Sequence, residues 1–198
     1  MIVEEFRSKY SGKLFVKKTW DWGWKYYVMT DNLTQSGGLI NDLWKPIISN
    51  FKKHISTIQI SKCLILGLAT GTLAKMLKGA NITGYEIDPV MIAIGKKYFG
   101  LDKIPNLKII NKDAKDFRGN FDVIFVDLYL GDKPPSFLYS HKYLKKLKER
   151  GKVVIINHLF YDQGKKNKAE KLIKKLERYF YQIELKRVLT NVIISCHV

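Results

Sequence analysis

The stretch Cys63-Leu64-Ile65-Leu66-Gly67-Leu68-Ala69-Thr70-Gly71 decides the fold. Four apolar residues in a row read as a short strand buried on both faces, the habit of parallel sheets. Gly67 and Gly71 bracket a turn in which the backbone can bend sharply and approach a ligand closely. The helical spacing of Leu73, Ala74, Met76 and Leu77 follows, so the loop is expected to open a helix, with free N–H groups at its start. Ala69 stands where a G-x-G-x-G loop has its middle glycine. A plain tight turn would give the same string, so the loop needs support from its neighbours.

That support lies downstream. Residues 82–87 form the next strand-like run, and Glu86, nineteen residues after Gly67, ends it. A carboxylate at that place accepts hydrogen bonds from ribose hydroxyls in nucleoside-binding α/β folds. Asp88 and Pro89 read as a helix N-cap and first helical residue. Val90, Met91, Ile94 and Tyr98 form the apolar stripe behind them. Residues 107–110 and 121–126 are strand-like, and Asp113 and Asp127 follow them. A helix over 137–150 ends at Gly151, and 153–156 is another strand. Ala169, Leu172, Ile173, Leu176 and Phe180 mark a long basic helix, and 183–188 and 192–196 close the chain as an antiparallel pair. Strands alternating with helices argue for a doubly wound α/β domain. Ligands bind such sheets outside the carboxyl ends of the strands, where Gly67, Glu86, Asp113 and Asp127 all fall.

Upstream the pattern changes. Residues 13–19 and 25–30 read as a β-hairpin turning at Asp21-Trp22-Gly23, and Asp31-Asn32 breaks the chain. Gln35-Ser36-Gly37-Gly38 reads as a flexible loop. Leu43, Trp44, Ile47, Ile48, Phe51 and Ile55 follow helical spacing, with the helix starting or bending at Pro46. We therefore divide the chain into a β-hairpin and helix extension, 1–55, and an α/β domain, 56–198.

Composition narrows the function. The chain has 198 residues, 46% hydrophobic and 13% aromatic, which suits a folded domain rather than a disordered one. No apolar run approaches the length of a membrane span. Two cysteines, Cys63 and Cys196, without C-x-x-C spacing exclude a disulfide scaffold and a zinc cluster, and both read as inert core residues. His54, His141, His158 and His197 show no metal-ligand spacing, so no metal is expected; Asn157-His158 follows a strand end, in reach of the pocket. The start M-I-V-E-E-F-R has acids where a secretory leader has basic then apolar residues, and a reducing cytoplasm is the expectation. The net charge is +17, and residues 142–187 hold fifteen basic against five acidic side chains. Such an excess is either a solvated lysine-rich surface or a face for polyanions, nucleic acid above all.

Taken together, the strings C-L-I-L-G-L-A-T-G-T-L-A-K-M-L (63–77), I-T-G-Y-E-I-D-P-V-M-I-A-I-G-K-K-Y-F (82–99), I-I-N-K-D-A (109–114) and F-D-V-I-F-V-D (121–127) resemble the Rossmann-like S-adenosylmethionine methyltransferase fold. More narrowly they are similar to its spermidine synthase (polyamine aminopropyltransferase) branch. D-N-L-T-Q-S-G-G (31–38) is similar to that branch's substrate-loop glutamine segment. The resemblance implies a transferase of polyamine biosynthesis, with S-adenosylmethionine or its decarboxylated form as co-substrate and an amine as acceptor. It implies that Gly67, Ala69 and Gly71 wrap the aminoacyl end of that co-substrate, that Glu86 holds the ribose and Asp113 with Ala114 the adenine, and that Gln35 touches co-substrate or amine. Asp127 is the implied catalytic carboxylate, and Tyr129 and Asp132 are candidate acceptor contacts. It also implies association as a homodimer.

The chain departs from that branch at instructive places. The usual D-S-S-D-P becomes Asp127-Leu128-Tyr129-Leu130-Gly131-Asp132, which removes the second acid from its spacing, and the Y-H-E string after the glutamine is absent. Two alternatives therefore stand beside aminopropyl transfer. One is methyl transfer from ordinary S-adenosylmethionine to another acceptor, nucleic acid included. The other is a non-catalytic basic protein binding through helix 165–181 and the aromatics Trp20, Trp22, Trp24, Tyr26 and Tyr27.

Overall fold

The computed structural model describes residues 1–20, 23–30, 34–54 and 61–198. The hairpin turn at Asp21-Trp22, the break at Asp31-Asn32 and the division between 55 and 56 lie outside the described residues, as does the side chain of Phe51.

Two sheets carry the chain. The first is antiparallel, in the order β1-β2-β3-β4, built from β1 (Ile2–Ser8), β2 (Gly12–Trp20), β3 (Trp24–Met29) and β4 (Thr34–Ser36). Helix α1 (Gly38–His54) follows. The second sheet holds β5 (Lys62–Leu66), β6 (Asn81–Tyr85), β7 (Leu107–Ile110), β8 (Phe121–Val126), β9 (Gly151–Leu159), β10 (Gln182–Val188) and β11 (Asn191–His197). Its order is β10-β11-β9-β8-β5-β6-β7. The pairs among β7, β6, β5, β8 and β9 are parallel, and β11 runs antiparallel to both β9 and β10. This is the doubly wound α/β architecture expected from the sequence, with a β-rich N-terminal extension. Its strand order reverses between β5 and β8.

Alternate residues of each central strand feed opposite faces, as strand geometry requires. Leu64, Leu66, Ile124, Val126, Val154 and Ile156 pack with Leu144 and Leu147 of α3 (His141–Arg150) and Leu172 and Leu176 of α4 (Gln163–Leu176). Cys63, Ile65, Val123, Phe125, Val153 and Ile155 pack on the other side with Leu43, Trp44 and Ile47 of α1 and Ile92 of α2 (Pro89–Phe99). All six strand residues in each set are buried, which is why these strands read as unbroken apolar runs. Burial pushes both thiols, Cys63 and Cys196, up to about 12, so neither is a nucleophile at neutral pH.

Several local expectations are corrected. No α-helix follows Gly71: only a 3-10 turn, Ala74–Met76, fits before Gly79 turns the chain into β6, so the loop has no helix dipole to offer an anion. The helix expected over 137–150 is split, because the Ser140 hydroxyl accepts the Tyr143 N–H and caps α3 afresh behind a 3-10 turn at Ser136–Tyr139. Helix α1 begins at Gly38 and runs through Pro46. Gln35 lies in a short strand rather than a flexible loop. Gly37 and Gly38 are needed for close approach: a Cβ would lie 2.8 Å from the Tyr26 carbonyl oxygen at Gly37 and 2.7 Å from the Tyr27 ring at Gly38. Strand β1 was not expected at all. Trp20 and Trp24 pack edge-to-face at 5.4 Å on the surface, not in a core.

The two sheets are fastened together at Asp88. Its Oδ1 accepts the Val90 N–H at 2.9 Å and caps α2, while Oδ2 accepts the hydroxyls of Ser8 at 2.5 Å and Ser11 at 2.8 Å. Leu14, Val16 and Val28 pack there against Met91 and Ile94. Replacing Asp88 with Ala removes a helix cap and leaves two part-buried hydroxyls without an acceptor. It should cost about 2 kcal/mol or more in urea unfolding, with hydrogen exchange rising first in residues 2–20.

Candidate active site at the strand ends

Parallel register builds this site. Leu66 pairs with Tyr85 on one side and Val126 on the other, Tyr85 pairs with Ile110, and Val126 pairs with Ile156. The next residue of each strand therefore falls in one row: Asn111, Glu86, Gly67, Asp127 and Asn157. The row lies at the carboxyl edge, at the reversal of strand order, where open α/β sheets form their crevice.

Gly67 sits in the middle with φ +89°, and a Cβ there would lie 2.1 Å from the Asp127 carbonyl oxygen. No other residue can hold that turn and let Asp127 pass beside it. The loop is pinned further on. Leu68 N–H bonds the Tyr85 carbonyl, and Ala69, at φ +46°, donates its N–H to Glu86 Oε2 at 2.7 Å. The buried hydroxyls of Ser36 and Thr70 hydrogen-bond to each other, which ties β4 and the neighbouring Gln35 to the loop.

Glu86 is buried, and its other oxygen accepts the Asp88 N–H at 3.0 Å. Burial raises its pKa, opposed by these backbone donors. Asp113 caps the 3-10 turn Ala114–Asp116 through the Lys115 N–H and pairs with Lys115 Nζ at 3.1 Å.

Asp127 is held by two donors on opposite oxygens. Trp44 Nε1–H donates to Oδ2 at 3.1 Å and Asn157 Nδ2–H to Oδ1 at 2.8 Å. Asn191 Nδ2–H donates in turn to Asn157 Oδ1 at 2.7 Å. The Tyr129 hydroxyl donates to the Asn157 carbonyl at 2.9 Å, so it stiffens the Asn157 backbone. Burial raises the Asp127 pKa, opposed by Asn157 and Trp44. Burial and the neighbouring Asp127 charge keep Tyr129 protonated.

These residues enclose a cavity of about 490 Å³. Gln35, Gly67, Ala69, Glu86, Asp113, Ala114, Asp127 and Tyr129 line it, as the sequence led us to expect. Gly71 and Asp132 do not. Gly71 serves packing, with Leu101 filling the space a side chain would need, and Asp132 is ion-paired to Lys165 Nζ at 3.1 Å. Trp44, Asn157 and Asn191 form the support that sequence reasoning missed or left open. Trp44 looks like one more apolar position on a helix stripe, yet a buried indole N–H needs an acceptor. Asn157 is signalled only by its place in the row. His158 is fully buried, bonded to the Tyr139 hydroxyl and the Leu159 carbonyl, and is not part of the lining. Among the described residues no cluster is placed to hold a metal ion, and no helix is long and apolar enough to cross a membrane.

Comparison with known proteins agrees with the fold. No family model matches the chain. A polyamine aminopropyltransferase of Sulfurisphaera tokodaii is 33% identical over 110 residues, which cover 48% of this chain and 37% of that one. The match thus spans little more than a third of that relative's length. A probable spermidine synthase of Corynebacterium glutamicum superposes with a TM-score of 0.79 at 15% identity, over 100% of this chain and 80% of that one. Human methyltransferase-like protein 13, solved in complex with SAH, superposes with a TM-score of 0.59 at 23% identity, over 81% and 80% of the two chains. The fold is that of the methyltransferases. Spermidine synthases and polyamine aminopropyltransferases stand among the proteins this chain is similar to.

The raised Asp127 pKa has a testable consequence for pH. If Asp127 is the group that accepts a proton during turnover it must start ionised, and activity should then fall on the acid side above the usual aspartate range. Trp44→Phe keeps the ring but removes one donor to the ionised form. That variant should move the acid limb of kcat/KM to higher pH while leaving the alkaline limb in place.

Proposed function

We propose that this chain transfers an aminopropyl group from decarboxylated S-adenosylmethionine to an amine. One observation carries the reading. The chain has 35 Lys and Arg residues, yet among the described residues none that lines the cavity is Lys or Arg, and the charged ones that do are Glu86, Asp113 and Asp127. A lining that holds acids and, among the described residues, no cationic side chain disfavours a ligand carboxylate. A sulfonium nucleoside without a carboxylate suits it. Ordinary S-adenosylmethionine would bring a carboxylate with no side-chain cation to meet it.

The residues divide the work. Glu86 takes the ribose hydroxyls on the lone pairs its backbone donors leave free, and Asp113 with Ala114 holds the adenine. Gly67 lets the chain approach the aminoacyl end, and Gln35 closes the pocket from β4. Asp127 receives the proton that the acceptor's ammonium must lose before attack. The freed nitrogen lone pair bonds to the propyl carbon beside sulfur. The carbon–sulfur bond breaks, its electron pair stays on sulfur, and a neutral thioether nucleoside leaves. Asp127 then releases its proton to water. Positioned proton transfer of this kind contributes roughly 10²–10⁴-fold.

The second reading, methyl transfer from ordinary S-adenosylmethionine, is favoured by Leu128-Tyr129-Leu130 standing where the spermidine synthase branch continues towards a second acid. The lysines exposed on α3 and α4 would suit a polyanionic acceptor for it.

Offering the protein each donor with a panel of amines, and reading product mass, separates the two. Aminopropylated amine should form only with the decarboxylated donor. Asp127→Asn should lower that rate about 10²-fold or more with little change in nucleoside affinity. Methylated product, or unchanged turnover in Asp127→Asn, would overturn the assignment.

A further inference from the structure

The acceptor end of the cavity has a charge and a shape of its own. Two of the three lining acids, Glu86 and Asp113, stand on the β6 and β7 side of Gly67, where backbone and Lys115 contacts already engage them. On the β8 and β9 side there is, among the described residues, one lining carboxylate, Asp127. Around it are the amides of Asn157 and Asn191, both neutral and both committed to the chain of hydrogen bonds that ends on Asp127. Asp132, the next acid along the chain, is ion-paired to Lys165, which also pairs with Asp162, and does not line the cavity. Among the described lining residues, an acceptor seated here meets a single anion.

Three exposed leucines line the cavity. Leu39 at the start of α1, Leu130 after β8 and Leu189 in the β10–β11 turn all line it, yet they are 55%, 47% and 60% exposed. Three unconnected segments thus bring a leucine to one opening. Leu189 is held there at a cost. It has φ +54° at the first position of a two-residue hairpin turn, where glycine is the residue without strain, and a branched side chain is disfavoured. Strain of this kind persists where it places a side chain for use. The turn is fixed by the Phe160 N–H, which donates to the Thr190 carbonyl at 2.8 Å.

From this we infer that the acceptor is a monoamine with an apolar chain: its one ammonium seats at Asp127, and its hydrocarbon lies between Leu39, Leu130 and Leu189. A diamine is the poorer partner, because its second ammonium would lie among Leu39, Leu130 and Leu189 with no carboxylate beside it among the described lining residues.

This inference rests on the sulfonium-nucleoside transferase reading, and the test separates the two. Calorimetry with 5′-methylthioadenosine first asks whether the nucleoside binds at all. No binding sinks the transferase reading and this inference with it. With binding established, kcat/KM is measured for n-hexylamine and for putrescine with decarboxylated S-adenosylmethionine. We expect hexylamine to be used at least about tenfold better. Leu189→Gly, which relieves strain and so should not unfold the protein, should lower kcat/KM for hexylamine about tenfold. Leu130→Asp, at an exposed position, should swing the preference toward putrescine. Equal or better use of putrescine by the wild type overturns the inference, as do transfer to neither amine despite nucleoside binding and a hexylamine rate unmoved by Leu189→Gly.

Discussion

Everything at the site depends on a parallel register that lets five strands end on one line. Because Leu66 pairs with both Tyr85 and Val126, the residues that follow them must emerge side by side. Two of those residues then have to pass within touching distance, and Gly67 is what makes that possible. Shift either strand pair by one residue and the side chains now buried would face the opposite layer. The same hydrophobic burial that holds the sheet together therefore also fixes where the carboxylates stand. Stability and function share a single constraint here, and the site needs no separate device to assemble it.

The electrostatics run against the average of the molecule. A net charge of +17 is a poor setting for binding cations, but salt screens it over about 8 Å, while a carboxylate at contact distance in a partly buried pocket is screened far less. Keeping every Lys and Arg out of the lining matters as much as placing the acids in it. In the loop after β8, Asp132 pairs with Lys165 and does not line the cavity. Asp127 stands between two demands. Burial favours its neutral form, and the donors Trp44 and Asn157 favour the ionised one. Such a balance suits a group that must both take up and release a proton in each turnover.

Much of this was legible in the sequence, and the misses have physical causes. The apolar runs at 63–66 and 121–126 are legible because a strand buried on both faces leaves no room for polar residues. Asp88 is legible because a cap followed by proline has few other uses. The helix expected after Gly71 is not there, because seven residues between two glycines at positive φ are too few to repay helix nucleation. Strand β1 was missed since its edge exposes most of Ile2-Val3-Glu4-Glu5-Phe6-Arg7, leaving no run of buried residues to read. Gly37 and Gly38 looked flexible, but tertiary contact with Tyr26 and Tyr27 requires them. The lining acids were found from their positions at strand ends. The groups that support Asp127 were not, because Trp44 and Asn191 lie 83 and 64 residues away in sequence, and only the folded sheet brings them near. The leucine rim was beyond reach for the same reason, since no local pattern marks an exposed leucine as deliberate.

The central claim is that this pocket selects its nucleoside by charge. Titration calorimetry of the wild-type protein with decarboxylated and with ordinary S-adenosylmethionine, side by side at one ionic strength, tests it most directly. The decarboxylated compound should bind about tenfold or more tightly, because the carboxylate of the other finds no cationic side chain in the lining. Equal affinities, or tighter binding of ordinary S-adenosylmethionine, would contradict the account.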